Sequence, residues 1–275
     1  MEWIVQGDET DSSAIARRLV EARRQASALP QYPGVVPASL DAGYACQDAA
    51  IPMWPSSIAG WKVGKIPDAW VDTLGEDRLV GPIFENRVQR PDDHRGTFPV
   101  IDGGFAAVEA EFIFVLAADA PAGKTDWTHD EAAALVESLR VGVEFAGSAL
   151  PDINRLGPPV VVSDYGNNAG LVVGPVIADW QQRSMDDLPC ETFIEGVSVG
   201  TGRASSIPGG LLAALAFALG RCARRGLPLR AGQYVSTGAA TGIHDIVAGQ
   251  HARVEFPGYA SFEIEAVPAE AESGA

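Results

Sequence analysis

Residues 108–116 read Val-Glu-Ala-Glu-Phe-Ile-Phe-Val-Leu, and no other stretch limits the possible folds as tightly. Every residue except Glu109 and Glu111 is apolar, and the aromatic and β-branched content favours a strand covered on both faces. Side chains two apart on a strand point to one face, so both carboxylates enter the same buried space. Burial penalises the ionised form of each and raises its pKa. Three surroundings offset that cost: a divalent cation between the carboxylates, a pair of Arg or Lys partners, or a strand end open to water.

Glu144, in Val-Gly-Val-Glu-Phe-Ala-Gly, is another single charge inside an apolar strand pattern. With Glu109 and Glu111 it would give three oxygen ligands on adjacent strands, which moves the balance toward the cation. Oxygen donors without His or Cys select Mg²⁺ or Mn²⁺ over zinc. Lys62 is the next candidate, in the glycine-flanked strand pattern Gly-Trp-Lys-Val-Gly. Beside a buried cation its pKa falls and it can act as an acid or base near neutral pH. The plainer alternative is a strand lysine whose ammonium reaches water.

A chain of 275 residues, 47% hydrophobic and 20% charged, suits a globular protein with one large core or two modest domains. Its net charge of −16 argues against a nucleic-acid partner, because phosphate binding needs clustered Lys and Arg. Cys46, Cys190 and Cys222 are scattered and odd in number, which suggests a reducing compartment and neither a zinc site nor a disulfide framework. The N-terminus lacks a basic and apolar leader pattern, and the longest apolar stretch (211–219) is too short to span a bilayer. A cytoplasmic protein that does not enter a membrane is expected.

Asp11-Ser12-Ser13 opens an amphipathic helix that ends before Pro30, and Ser39 caps a second helix running to about Ala50. Beyond residue 59 the texture changes to short apolar runs punctuated by Gly and Pro. Strands are expected at 61–63, 81–84, 108–116, 141–145, 170–176, 192–199, 233–237, 251–256 and 259–266. Two more helices are expected, one from the Thr128 capping box to about Arg140, the other from Pro208 to Arg225. Many strands with few helices and no βαβ alternation imply an α+β protein. A helical N-terminal segment (1–60) should precede a large mixed β-roll (61–267), with a disordered acidic tail (268–275).

Gly-Trp-Lys-Val-Gly, Gly-Pro-Ile-Phe-Glu-Asn, Val-Glu-Ala-Glu-Phe, Val-Glu-Phe-Ala-Gly-Ser, Ser-Asp-Tyr-Gly-Asn-Asn-Ala-Gly and Ser-Thr-Gly-Ala follow one another in this order. Over roughly residues 10–265 that order resembles the 2-keto-4-pentenoate hydratase / 4-oxalocrotonate decarboxylase branch of the fumarylacetoacetate hydrolase superfamily. The resemblance implies Mg²⁺ or Mn²⁺ at Glu109, Glu111 and Glu144, with Lys62 over the substrate. It further implies a substrate-facing Asp164, Thr237 and Gly238 near the substrate carboxylate, and a homo-oligomer. Two departures stand out. Glu85-Asn86 occupies the region where related hydratases carry an acidic residue after the Phe, and the His–Glu dyad of true fumarylacetoacetate hydrolases is not recognisable. His94 and His129 read as exposed, and His244 as a turn residue close to the Thr-Gly segment.

The resemblance implies a substrate with a 2-oxo or 2-hydroxy-2-enoic carboxylate headgroup. Hydration of a 2-hydroxy-2,4-dienoate to a 4-hydroxy-2-oxo acid is the leading expectation, with Lys62 moving the proton and Asp164 orienting water. Decarboxylation of a 2-oxo-3-enedioate is the nearest rival. Acylpyruvate hydrolysis, oxaloacetate tautomerisation and a non-catalytic metal-binding protein are further alternatives. Trp54, Trp61 and Phe84 could line an apolar pocket or belong to the core.

Overall fold

The computed structural model describes residues 11–272. Asp11 caps α1 (Ser12–Arg24) by accepting from the Ser13 N–H, and Ser39 caps α2 (Leu40–Ala50) by accepting from the Ala42 N–H. The antiparallel strands β1 (Ile58–Lys65) and β2 (Arg78–Phe84) flank α3 (Asp68–Leu74), and β3 (Val88–Gln89) and β4 (Arg95–Val100) follow. Two long strands, β5 (Phe105–Leu116) and β6 (Val136–Ser148), pair antiparallel and are joined through α4 (His129–Ala133). Then come α5 (Ile153–Leu156), α6 (Pro158–Ser163), β7 (Asn168–Val176), the hairpin β8 (Pro189–Ile194) and β9 (Val197–Arg203), and α7 (Leu211–Arg224). The strands β10 (Tyr234–Ser236), β11 (His244–Asp245), β12 (His251–Phe256) and β13 (Ala260–Pro268) close the chain.

Two mixed sheets result. The first runs β2-β1-β10-β5-β6-β7-β3 with β11 added to β5, and the second runs β4-β13-β12-β8-β9. The alternation along β5 separates two chemistries. Phe112 and Phe114 face the main core, where Phe112 meets Phe256 edge-on at 5.5 Å and Phe114 meets Trp180 at 5.3 Å. Ile113, on the opposite face, joins Ile83, Leu171 and Val173 in a small separate cluster. Glu109 and Glu111 share the parity of Ile113, so the carboxylates lie on that second face. The helix α7 buries Leu211, Ala214, Leu215, Ala218 and Leu219 in the main core. No helix among the described residues is long and apolar enough to cross a membrane.

The α+β architecture and the mixed roll agree with the sequence reading, but several elements differ. The Thr128 capping box forms, with the Glu131 N–H donating to Thr128 Oγ1 at 3.2 Å, yet the helix stops at Ala133. From Val136 the chain pairs with β5, beginning opposite Leu116, and this long ladder overrides the local helical preference up to Arg140. The strand expected at 192–199 is a hairpin, because Glu195 (φ 50°) and Gly196 (φ 77°) form a two-residue left-handed turn. The last helix starts at Leu211 instead of Pro208, after Gly209 and Gly210 at positive φ.

The tail expected to be disordered from 268 is tied down as far as 272. The Ala269 N–H donates to the Val100 carbonyl at 2.8 Å, and the Glu272 carboxylate accepts from Arg24 at 3.2 Å and Arg87 at 2.9 Å. Residues 273–275 and 1–10 lie outside the described residues. The N-terminal helices share a core with the rest of the chain, since Ile15, Leu19 and Cys46 pack with Leu150, Ile153 and Val160.

Candidate metal centre and its cavity

Register sets the carboxylates side by side. Glu109 on β5 stands opposite Glu144 on β6, and Glu111 stands opposite Gly142, where a Cβ would lie 2.3 Å from the Val172 carbonyl oxygen and 2.4 Å from Ile113 Cδ1. Each of the three offers an oxygen, and these ligand atoms all lie within 4.8 Å of one another. Glu111 and Glu144 are fully buried and Glu109 is 3% exposed. Each carboxylate also keeps one buried oxygen without a hydrogen-bond partner: Oε1 of Glu109, Oε1 of Glu111 and Oε2 of Glu144. The second oxygens of two are held, with the Gly238 N–H donating to Glu111 at 2.8 Å and Asn168 Nδ2 donating to Glu144 at 3.1 Å. Three orphaned oxygens in one dry space fit a hard divalent cation such as Mg²⁺ or Mn²⁺.

Lys62 completes the cluster. Its ammonium lies 3.1 Å from Glu144 Oε1 and donates to Asn167 Oδ1 at 3.0 Å. Three ionised carboxylates and one ammonium leave two negative charges uncompensated, which a divalent cation cancels. Burial pushes the Glu109 carboxyl up to about 7, against the opposing pull of Lys62. Burial also lifts Glu111 well above the carboxylate range, reinforced by Glu144 and Glu109. Glu144 is raised by burial too, although Lys62 and Asn168 favour its charged form. For Lys62, burial works to lower the pKa, but Glu144, Glu109 and Glu111 outweigh it and hold the ammonium above its ordinary value. The depressed lysine expected from the sequence therefore depends on the charge of the cation, and the side chains alone act in the other direction. The snorkelling alternative does not hold, because Lys62 is only 3% exposed.

A tight turn secures this arrangement. Tyr165, Gly166 and Asn167 all have positive φ (57°, 64° and 57°), which swings Asn167 back over the lysine. The turn passes directly over Gly81, the strand partner of Lys62, and a Cβ on Gly81 would lie 2.0 Å from the Tyr165 carbonyl oxygen.

Above the cluster opens a cavity of about 890 Å³, lined by Lys62, Glu109, Asn154, Asn167, Thr237 and Gly238 among others. Glu111 and Glu144 lie behind this wall. Thr237 and Gly238 thus reach the cavity, but their donors are committed, Thr237 Oγ1 to the Phe112 carbonyl at 2.8 Å and the Gly238 N–H to Glu111. Asp164 does not line the cavity. Its carboxylate is buried elsewhere, accepting from Arg23 Nε at 2.5 Å and from Ser148 Oγ at 2.5 Å, which corrects the substrate-facing role expected for it. Arg23 also donates to the carbonyls of Gly147 and Asn168, so this ion pair braces the strand ends behind Glu144.

Asn86 is also outside the cavity and accepts from the Trp54 indole at 3.2 Å. None of the four histidines lines the cavity. His244 contacts the Thr241 carbonyl at 3.0 Å, and burial lowers its pKa. Trp54 stacks on Phe84, both meet Tyr165 edge-on, and Trp61 joins the main core, so none of the three lines this cavity. Asn154, Asn167 and Asn168 carry little sequence signal of a site role. The one available signal was a pair of amides opening an apolar strand.

No family model matches the sequence, and no curated protein matches it. Solved structures do share its fold. The chain is similar to 4-oxalocrotonate decarboxylase from Pseudomonas putida G7, complexed with magnesium and adipate, with a TM-score of 0.77 and 18% identity over 93% of this chain and 97% of that one. It is also similar to fumarylpyruvate hydrolase from Pseudomonas aeruginosa, in complex with Mn²⁺ and pyruvate, with a TM-score of 0.53 and 15% identity over 78% of this chain and 91% of that one. A protein named for the fumarylacetoacetate hydrolase family, from Yersinia pestis CO92, gives a TM-score of 0.54 at 13% identity over 78% and 95% of the two chains. The chain has the fold of the fumarylacetoacetate hydrolase type.

Proposed function

We propose that this protein is a metal-dependent lyase that adds water to a 2-hydroxy-2,4-dienoate, giving a 4-hydroxy-2-oxo acid. The observation that carries the reading is the convergence of three orphaned carboxylate oxygens on one buried space, with Lys62 beside them at a cavity wall. Glu109, Glu111 and Glu144 would hold Mg²⁺ or Mn²⁺. Bound there, the cation supplies Lewis-acid stabilisation of the charge that develops at the substrate's C2 oxygen. The magnesium and manganese complexes of the similar structures support this choice of metal.

The chain's own groups then have distinct tasks. Lys62, buried and fixed by Glu144 and Asn167, holds a proton at Nζ for the dienol carbon that is protonated on ketonisation. Water adding to the resulting enone needs a polar group that orients it. Asn154 and Asn167 line the cavity, their amides 3.4 Å apart, and take the place first given to Asp164. The Gly238 N–H fixes Glu111, and Asn168 fixes Glu144. Thr237 and Gly238 form the wall beside the headgroup.

One observation favours a second reading, decarboxylation of a 2-oxo-3-enedioate. Among the described residues that line the cavity, Lys62 and Glu109 are the only buried titratable groups, and decarboxylation requires no base for water. Both readings are tested by following the ultraviolet absorbance of dienoate and enedioate substrates with Mg²⁺ or Mn²⁺ while CO₂ release is recorded. The proposal expects loss of the dienoate with no CO₂, and a fall of roughly 10²–10⁴ in kcat for Lys62→Met. CO₂ release from the enedioate, with the dienoate untouched, would transfer the protein to the second reading. Binding of both without turnover of either would make it a non-catalytic binding protein.

A further inference from the structure

We propose that the part of the cavity beyond the headgroup selects a bulky, uncharged, apolar substituent at the distal end of the 2-oxo acid. This rests on the headgroup reading above and concerns what that reading leaves open. Three features carry it: size, wall chemistry and the state of the nearby cations.

At about 890 Å³ the cavity lies near the upper end of the roughly 300–1,000 Å³ typical of small-molecule sites, far more than a pyruvate-like group fills. Much of its wall is apolar and comes from well-separated parts of the chain: Val71 on α3, Leu79 on β2, Val161 on α6, then Ile207, Pro208 and Ile243. Ile243 is 50% exposed although it borders the cavity, so a substituent lying against it would remove apolar surface from water.

Among the described residues that line the cavity, each cation outside the carboxylate cluster already has an acidic partner. Arg78, with a side chain only 12% exposed, is paired with Asp77 at 2.5 Å and donates its other terminal nitrogen to the Pro208 carbonyl. Lys65 is 55% exposed at the mouth and pairs with Asp68 at 2.8 Å. Asp245 adds a further acid to the lining. Outside the metal cluster the charges of the lining are balanced or negative, which disfavours a dicarboxylate and leaves apolar contact as the available source of selectivity.

Calorimetric binding to Mg²⁺-loaded protein tests this with three ligands that share the headgroup: pyruvate, 2-oxo-4-phenylbutanoate and 2-oxoadipate. The phenyl compound should bind roughly tenfold or more tightly than pyruvate, from the apolar area it buries, and 2-oxoadipate should gain nothing. Ile243→Asp, at a half-exposed position, should narrow the ratio between the phenyl compound and pyruvate. If pyruvate binds and the phenyl compound gains nothing, or if 2-oxoadipate binds most tightly, the inference is overturned while the headgroup reading stands. If no 2-oxo acid binds the loaded protein, both fall.

Discussion

Asp164 was expected in the reaction but sits in a buried ion pair, so its substitution separates the two roles. Asp164→Asn keeps the shape and leaves the Arg23 guanidinium, 8% exposed, facing a neutral amide. Breaking one side of a buried, hydrogen-bonded pair costs about 3–5 kcal/mol. At about 2 °C per kcal/mol for a chain of this size, the melting temperature should fall by roughly 6–10 °C. Arg23→Met should be at least as damaging, because it also strips donors from the Gly147 and Asn168 carbonyls. A double-mutant cycle on urea unfolding, with metal removed by chelator, should return a coupling of about 0.5–3 kcal/mol. Turnover per folded molecule should survive Asp164→Asn at a temperature where the variant is folded. Unchanged melting combined with a roughly hundredfold loss of kcat would refute the reasoning and restore Asp164 as an acid–base group.

Three further outcomes follow from the same geometry. Gly81→Ala drives a Cβ against the Tyr165 carbonyl, so urea unfolding should show a loss near the top of the roughly 1–3 kcal/mol typical of overpacking. Cys46, Cys190 and Cys222 are all buried, and burial pushes the thiols of Cys190 and Cys222 up to about 12. Ellman's reagent should therefore leave the folded protein unlabelled and modify all three thiols only in denaturant. Glu131 is held down at about 2 by Lys124 and by the Thr128 N–H and hydroxyl of the capping box. The stability it lends is complete above the ordinary carboxylate pKa and is lost as pH falls through about 2. An NMR titration should find its midpoint well below those of other exposed glutamates, and Thr128→Ala should raise it.

The carboxylate cluster is legible because its signal is local and costly. Isolated charges in apolar strands, as at Glu109, Glu111 and Glu144, can be read from the pattern alone, and β-register then does the rest. Lys62 was legible for the same reason. What failed depended on contacts distant in sequence. Residues 136–140 carry a helix signal from the Thr128 cap, and only the presence of β5 turns them into strand. Asp164 and Asn167 are three residues apart, and the left-handed turn between them sends one to Arg23 and the other to Lys62. Glu272 lies in an acidic tail whose composition looks disordered, and the arginines that hold it come from α1 and the segment before β3.

Glu109, Glu111 and Glu144 form one candidate divalent-cation site, and direct titration with Mn²⁺ tests it. Electron paramagnetic resonance of free Mn²⁺ should reveal a single tight site per chain, competed by Mg²⁺. Glu109→Gln, Glu111→Gln and Glu144→Gln should each weaken it by at least the roughly 10–100-fold known for disturbing a metal's supporting shell. Removing the Glu111 charge should at the same time leave the chelator-treated protein no less stable, since that charge is costly when uncompensated. Wild-type affinity for Mn²⁺ in all three variants, or no stoichiometric binding by the unaltered chain, would contradict the account.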